Sequence, residues 1–239
     1  MLKGLFVSKA GMLAQQRRLE VAANNLANAN TLGFKRSLIS FTKMLDAMLD
    51  ETTDENRVPG KTAIDFSNGT LKKTGNPLDV AIQGDGFFVL QGPEGEVFTR
   101  NGNFTLNEQG ELVSQNGWPV LTSQGVIQIT NGEEVAINQS GEILVNGKVV
   151  GTLRIAVFNN PETLQPLNNS LFTAANSYYR ELDPSEIFVQ PGHLETSNVN
   201  PLSEMIALID INRNFELAQK SAKAQDESLG QLFNRAGRR

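Results

Sequence analysis

Residues 201–234, PLSEMIALIDINRNFELAQKSAKAQDESLGQLFN, read as one long amphipathic helix. Leu208, Phe215, Ala222 and Leu229 recur at intervals of seven, with Ile211, Ala218 and Leu232 in the offset positions. Apolar side chains at that spacing are the pattern of a coiled-coil seam. The start is well marked: Asn200 suits the N-cap, Pro201 the first helical position, and Glu204 the positive end of the helix dipole. Arg235, Arg238 and Arg239 fall at the negative end, where cations are favoured. Working outward, a second helix is expected from about Leu2 to Ala29, where Leu5, Met12, Leu19 and Leu26 repeat the seven-residue spacing. The Asn28–Gly33 stretch gives it a left-handed stop. The expected fold class is α+β, with paired, coiled-coil-like N- and C-terminal long helices bracketing an all-β outer domain.

Between the helices the texture changes. Residues 36–49 repeat a helical spacing through Leu38, Phe41, Leu45 and Met48, and the charged run 50–56 reads as a loop. From about Ile64 to Leu182, short β-favouring runs at 78–83, 87–91, 96–100, 126–130, 142–145 and 152–158 alternate with turn pairs. Those pairs are Asp85-Gly86, Asn101-Gly102, Asn116-Gly117, Asn131-Gly132 and Asn146-Gly147, which favour type I′ hairpin turns because both residues tolerate positive φ. The expected organisation is a terminal-helix assembly domain (1–33 with 200–239), connecting segments (34–75 with 183–199) and a β-rich outer domain (76–182). The glycines punctuate hairpins; no phosphate-binding GxGxxG or GxxxxGK[ST] pattern lies between a strand and a helix.

Bulk properties narrow the function classes. The net charge is −5, yet residues 1–30 carry +3, residues 31–200 carry −9 and residues 201–239 carry +1. No basic stripe interleaved with aromatics supports a nucleic-acid partner. The absence of cysteine excludes disulfides, thiol catalysis and cysteine-based metal sites. No apolar run approaches the ~18–20 residues needed to span a membrane, so no membrane insertion is expected. The N-terminal stretch is broken by Lys9 and by Gln15, Gln16, Arg17 and Arg18, so it does not read as a cleavable secretory signal. Transport out of the cytoplasm, if it occurs, is expected by another route.

The apolar surface of the helices exceeds what one hairpin covers. Leu202, Met205, Ile206 and Ile209 form a second stripe offset from the first, and Leu2, Phe6 and Leu13 add to it. Fully burying one such side chain contributes ~1.5–3 kcal/mol, and a contiguous exposed patch marks an interface. The helices are therefore expected to meet copies of themselves or close relatives in a non-closing, filament-forming contact. The bland alternative is that the β domain covers the stripe.

Four stretches now carry a resemblance. Residues 22–35 (AANNLANANTLGFK), which include Asn24, Asn25, Leu26, Asn28, Gly33 and Phe34, resemble the N-terminal signature of the bacterial flagellar rod and hook family. So do Asn76-Pro77-Leu78-Asp79-Val80-Ala81-Ile82 with Gly84-Asp85-Gly86-Phe87-Phe88, then Phe98–Phe104, then Glu195-Thr196-Ser197-Asn198-Val199-Asn200. The resemblance is greatest to the FlgF/FlgG rod group. It implies a structural axial subunit of the flagellar basal-body rod, in the periplasm, with a β-rich outer domain and passage through the flagellar type III export channel. It also implies polymerisation through the terminal helices, with itself, other rod subunits and, in transit, the export apparatus as partners. The short stretch between Phe34 and Asn76 leans toward the proximal rod position. The assembly interface is expected at Leu5, Met12, Leu19, Leu26, Leu208, Ile211, Phe215, Ala218, Ala222 and Leu229. The asparagines suit bonding of neighbouring backbone as well as plain caps and turns.

An enzyme is not expected, and no catalytic, metal, cofactor or small-molecule substrate site is assigned. His193 is the only histidine and stands in a loop, so it has no second histidine or cysteine with which to form a metal set. Asp79 and Asp85 could be imagined as a general acid and base, but they occupy strand-turn positions where Asp serves local bonding. Two alternatives stay open: a distal rod or hook-type axial subunit, and a surface-binding β module with helical oligomerisation arms. Carbohydrate-binding modules expose aromatics, and Trp118, Tyr178 and Tyr179 are the candidates for that role. Trp118 before Pro119 also fits simple hairpin packing.

Overall fold

At Asn146-Gly147 the chain does what the turn signal demands. Asn146 has φ 51° and Gly147 φ 76°, so both central residues are left-handed, as a type I′ turn requires. The turn joins the antiparallel strands Glu142–Val145 and Lys148–Thr152. This computed structural model describes residues 2–39, 62–130, 132–168, 170–174 and 178–236, and they fall into two units.

The first unit comprises residues 1–27, 37–65 and 200–239. It holds helix α1 (Leu2–Ala27), helix α2 (Pro201–Ala236) and a two-stranded antiparallel ribbon of Ser37–Ile39 with Thr62–Ile64. The start of α2 is as expected: Asn200 Oδ1 accepts hydrogen bonds from Leu202 N at 3.1 Å and Ser203 N at 3.3 Å, satisfying amides that the first turn leaves unpaired. Residues 37–39, expected in a helix, form a strand instead. The rest of that expected helix and the charged run at 50–56 lie outside the described residues.

The expected fold class needs correction. The described residues contain two α-helices of unequal length, 26 residues in α1 and 36 in α2, in a mostly β chain, and no matched pair of long coiled-coil helices. The burial of α1 gives the physical reason. Among its described side chains Ala14, Ala22 and Asn25 are buried, whereas Met12, Leu19 and Leu26 are only half-buried. At 100° per residue the buried face lies about 100° round the helix from the heptad line. Small residues and an amide, not a leucine seam, face inward. On α2, Ile211 is buried and Leu208, Ala218 and Ala222 are half-buried, but Phe215 is 37% exposed. The side chains of Leu5 and Leu229 lie outside the described residues.

The second unit spans residues 28–36 and 66–199. Its centre is a six-stranded antiparallel sheet in the order Gln165–Asn168, Leu171–Thr173, Gly95–Thr99, Phe87–Gly92, Ile155–Phe158, Tyr179–Glu181. Successive side chains of a strand point to opposite faces, and the Phe87-Phe88 pair shows the result. Phe87 joins an aromatic layer with Phe66, Phe158 and Phe172, their ring centroids 5.7–5.8 Å from it. Phe88 faces the other way, edge-on to Phe104 at 5.2 Å, into an aliphatic core that includes Leu90, Leu112, Val120, Ile143, Leu153 and Ile155. The expected runs at 78–83, 87–91, 96–100 and 142–145 carry strands, while 126–130 has only an isolated bridge at Gln128.

Asn101-Gly102 does not behave as a hairpin turn. Gly102 has no positive φ, and a Cβ added there would stand 1.7 Å from the Val80 carbonyl oxygen. Glycine is needed at that position for close approach of two backbones.

Candidate functional site

Residues from all four stretches, the first of them through its end at 33–35, meet in the β unit around one carboxylate. Glu195 Oε1 accepts from Lys35 Nζ at 2.7 Å and from the Gly69 amide at 2.8 Å. Glu195 Oε2 accepts from Arg100 Nη1 at 3.3 Å. Lys35 Nζ also donates to the Ser67 carbonyl at 2.7 Å, and Arg100 Nη2 to the Gly84 carbonyl at 2.7 Å. The guanidinium carbon of Arg100 lies 5.4 Å from the Phe87 ring centroid, a cation–π geometry. The Gly33 amide donates to the Glu195 carbonyl at 2.9 Å. Gly33 has φ 66°, and a Cβ there would meet the Asn101 amide at 2.5 Å.

These charges are nearly removed from water: the side chains of Lys35, Arg100 and Glu195 are 0%, 3% and 2% exposed. Burial pulls the Arg100 guanidinium below its ordinary value, while Glu195 and Asp85 pull it up. A buried ion carries a desolvation cost that only close pairing offsets. Two cations share one carboxylate, and each donates as well to a backbone carbonyl, while Arg100 Nε is buried with no hydrogen-bond partner among the described residues.

The motif asparagines act as backbone clamps. Asn25 is buried in the first unit, where its Nδ2 donates to the Ser37 carbonyl and its Oδ1 accepts from the Ser37 amide, both at 2.9 Å. The amide thus mimics a strand neighbour to Ser37. In the β unit, Asn198 Oδ1 accepts from the Arg36 amide at 2.7 Å, and its Nδ2 donates to the Ser67 carbonyl and hydroxyl at 3.1 Å each. Asn28 Oδ1 accepts from the Thr31 hydroxyl at 3.1 Å. Phe34 and Val199 are buried, Ser197 Oγ accepts from the Val199 amide at 3.2 Å, and Asn24 is exposed.

Around Asn76 the side chains serve local bonding. Asp79 Oδ1 accepts from Asn103 Nδ2 at 2.8 Å and Asn76 Nδ2 at 3.2 Å, and the Pro77 carbonyl accepts from the Ile137 amide at 3.3 Å. Gly84 and Gly86 both have positive φ. His193 Nδ1 is 2.9 Å from the Pro191 carbonyl.

A second feature belongs to the first unit. Along α2, Leu202, Ile206 and Ile209 are 64%, 54% and 58% exposed, with Met205 and Leu217 also on the surface. This is the offset stripe, and within the described residues it remains uncovered.

Sequence reading quoted Lys35, Arg100 and Glu195 inside the motifs without assigning them to the site. The available signal was three charged residues set among Gly, Asn and Phe, but nothing local shows that residues so far apart in the chain share one cluster.

Comparison with known proteins places similarity along most of the chain. The family model for flagella basal body rod proteins matches residues 7–35. The flagellar hook protein FlgE/F/G D1 domain matches residues 81–145, and the flagellar basal body rod FlgEFG protein C-terminal domain matches residues 190–235. The chain is 36% identical to the flagellar basal-body rod protein FlgF of Mesorhizobium japonicum, over 99% of this chain and 100% of that one. It is 34% identical to FlgF of Rhizobium meliloti, over 99% of both. It is 33% identical to the flagellar basal-body rod protein FlgG of Caulobacter vibrioides, over 95% of this chain and 97% of the relative.

Proposed function

We propose, from the premise that this chain belongs to the flagellar basal-body rod protein family and is a structural subunit of the rod, that it is the proximal, FlgF-type subunit and joins its neighbours through the uncovered apolar face of α2. It resides in the flagellar basal body and assembles with other rod subunits. The observation that carries the proposed interface is the stripe Leu202, Met205, Ile206 and Ile209, 45–64% exposed. A row of large apolar side chains left in water is a surface awaiting a partner. One stripe meeting a different surface on the next subunit gives a heterologous contact, which extends a filament without closing it.

The proximal assignment is supported by length. The FlgF relatives align over 242 and 240 positions, whereas the FlgG relative of C. vibrioides needs 258. The short stretch between Phe34 and Asn76 agrees with this reading. Export through the flagellar type III channel belongs to the same proposal, since a cysteine-free chain carries no disulfide that would resist threading. The reading is also non-enzymatic: Asp79 is engaged by the amides of Asn76 and Asn103, and His193 lies against the Pro191 carbonyl.

Electron microscopy of basal bodies from a strain lacking this chain tests the assignment. A rod that stops at its base, with no hook and no motility, is expected. A rod that stops near its outer end would make the subunit distal. Intact basal bodies on motile cells would overturn the rod position altogether.

A further inference from the structure

Asparagine followed by glycine carries a chemical reactivity as well as a turn signal. The glycine amide nitrogen can lose its proton and attack the asparagine Cγ, closing a five-membered succinimide as the Cγ–Nδ2 bond breaks and ammonia leaves. Water then opens the ring at either carbonyl, giving aspartate or isoaspartate. Glycine favours this step because no Cβ restricts the backbone rotation that brings its nitrogen onto the side chain, and asparagine is thermolabile accordingly. Four such pairs lie wholly within the described residues: Asn68-Gly69, Asn101-Gly102, Asn116-Gly117 and Asn146-Gly147. Their surroundings differ.

Three of the pairs are restrained at the groups that would react. The Gly69 nitrogen donates to the buried Glu195 carboxylate at 2.8 Å. A Cβ on Gly69 would stand 1.8 Å from the Thr196 carbonyl oxygen, so its backbone is wedged as well. Asn101 Oδ1 accepts from the Asn103 amide at 3.1 Å, and Gly102 is buried against the Val80 carbonyl. The Asn146 amide is pinned at both ends: its Oδ1 accepts from Glu134 N at 3.2 Å and its Nδ2 donates to Glu133 Oε1 at 3.1 Å.

Asn116-Gly117 lacks these restraints. Both residues are exposed, and the Asn116 side chain makes no hydrogen bond among the described residues. The Gly117 nitrogen donates to the Ser114 carbonyl at 2.9 Å. That bond is between neutral groups in a turn open to water, and is weaker than the bond of Gly69 to a carboxylate. A Cβ on Gly117 would meet no atom within 4 Å, so no neighbouring segment obstructs ring closure.

We propose that Asn116 is a self-modification site, the first of these four asparagines to convert to aspartate and isoaspartate in the folded protein. The product places a charge where there was none: Asn116 shares a surface hollow with Asn30, Asn101 and Gln115, and no described residue lining it is charged. Isoaspartate also adds a carbon to the main chain inside the Ser114–Trp118 loop, whose ends are joined by a bond of 2.9 Å from Ser114 N to the Trp118 carbonyl. The site does not depend on the rod assignment.

Incubation of the full-length protein in warm, mildly alkaline buffer, followed by peptide mapping in a mass spectrometer, tests the proposal. Asn116 is expected to convert several-fold faster than Asn101 and Asn146. Against Asn68 the expected factor is about 10-fold, because the Gly69 nitrogen must first leave a carboxylate. In urea, where the restraints are gone, the four rates should converge. Earlier conversion at any of the other three pairs in the native protein would overturn the assignment. A ranking that survives unchanged in urea would overturn it too, since the preference would then lie in the local sequence and not in the fold.

Discussion

Lys35 and Glu195, 160 positions apart in the sequence, form a buried ion pair of 2.7 Å. The pair ties the segment that enters the β unit to the segment that leaves it, and Arg100 adds a third charge. Removing one partner of such a pair strands the others in a medium that solvates them poorly, at a cost of about 3–5 kcal/mol. Glu195→Gln is expected to lose that much in urea unfolding. The exposed pair Arg180–Glu186, at 2.5 Å, gives the contrast: Arg180→Ala should change stability by less than about 1 kcal/mol. Equal effects would mean that the cluster is hydrated.

Asn25 and Asn24 are neighbours with opposite fates. Asn25 makes both hydrogen bonds of a strand partner to Ser37, while Asn24 is exposed. Asn25→Ala leaves the half-buried backbone donor and acceptor of Ser37 without these bonds, at a cost of up to about 1–3 kcal/mol, and should accelerate hydrogen exchange at the Ser37 amide.

Charge placed on the α2 stripe separates folding from assembly. Ile209 is 58% exposed, so Ile209→Asp costs the free subunit little. Circular dichroism and melting temperature should be nearly unchanged, while incorporation into basal bodies in a complemented strain is lost. Normal incorporation would show that this face is not an interface.

Tyr179 supplies a pH dependence. Burial, and then the hydrogen bond to Glu96, push its phenol up to about 12, against about 10 for a free tyrosine. The folded state therefore holds its proton over a range in which the unfolded chain has lost it. The stabilisation is complete below pH ~10 and is lost as pH rises toward 12. Ultraviolet titration of Tyr179→Phe should lack the component near pH 12, and its stability should fall less steeply across that interval.

How much of this was legible follows from how far each signal reaches. Asn146-Gly147 is a local instruction, and the hairpin it specifies is present. Asn101-Gly102 has the same letters but answers to Val80, a strand distant in sequence. Two further hairpins share a pattern that dipeptide reading passes over. In Asn107-Glu108-Gln109-Gly110-Glu111 and Asn138-Gln139-Ser140-Gly141-Glu142, the asparagine Oδ1 accepts the amides two and four residues on, and its Nδ2 donates to the glutamate. The heptad reading of α1 failed because spacing shows which residues share a stripe, not which stripe a helix buries. Its inward face was decided by Ala14, Ala22 and Asn25. The Glu195 cluster was beyond local reading altogether, since its members come from opposite ends of the β unit.

That cluster also has a kinetic meaning. Closing a loop of such length is entropically costly, by roughly 4–5 kcal/mol from chain length alone, so a contact of this span forms late on the way to the native state. Interactions absent from the folding barrier govern how slowly a protein comes apart. Loss of Glu195 should therefore register mainly as faster unfolding, with refolding little changed, in stopped-flow chevrons. For a subunit built into the flagellar rod, the lifetime of the folded state matters more than the ease of reaching it.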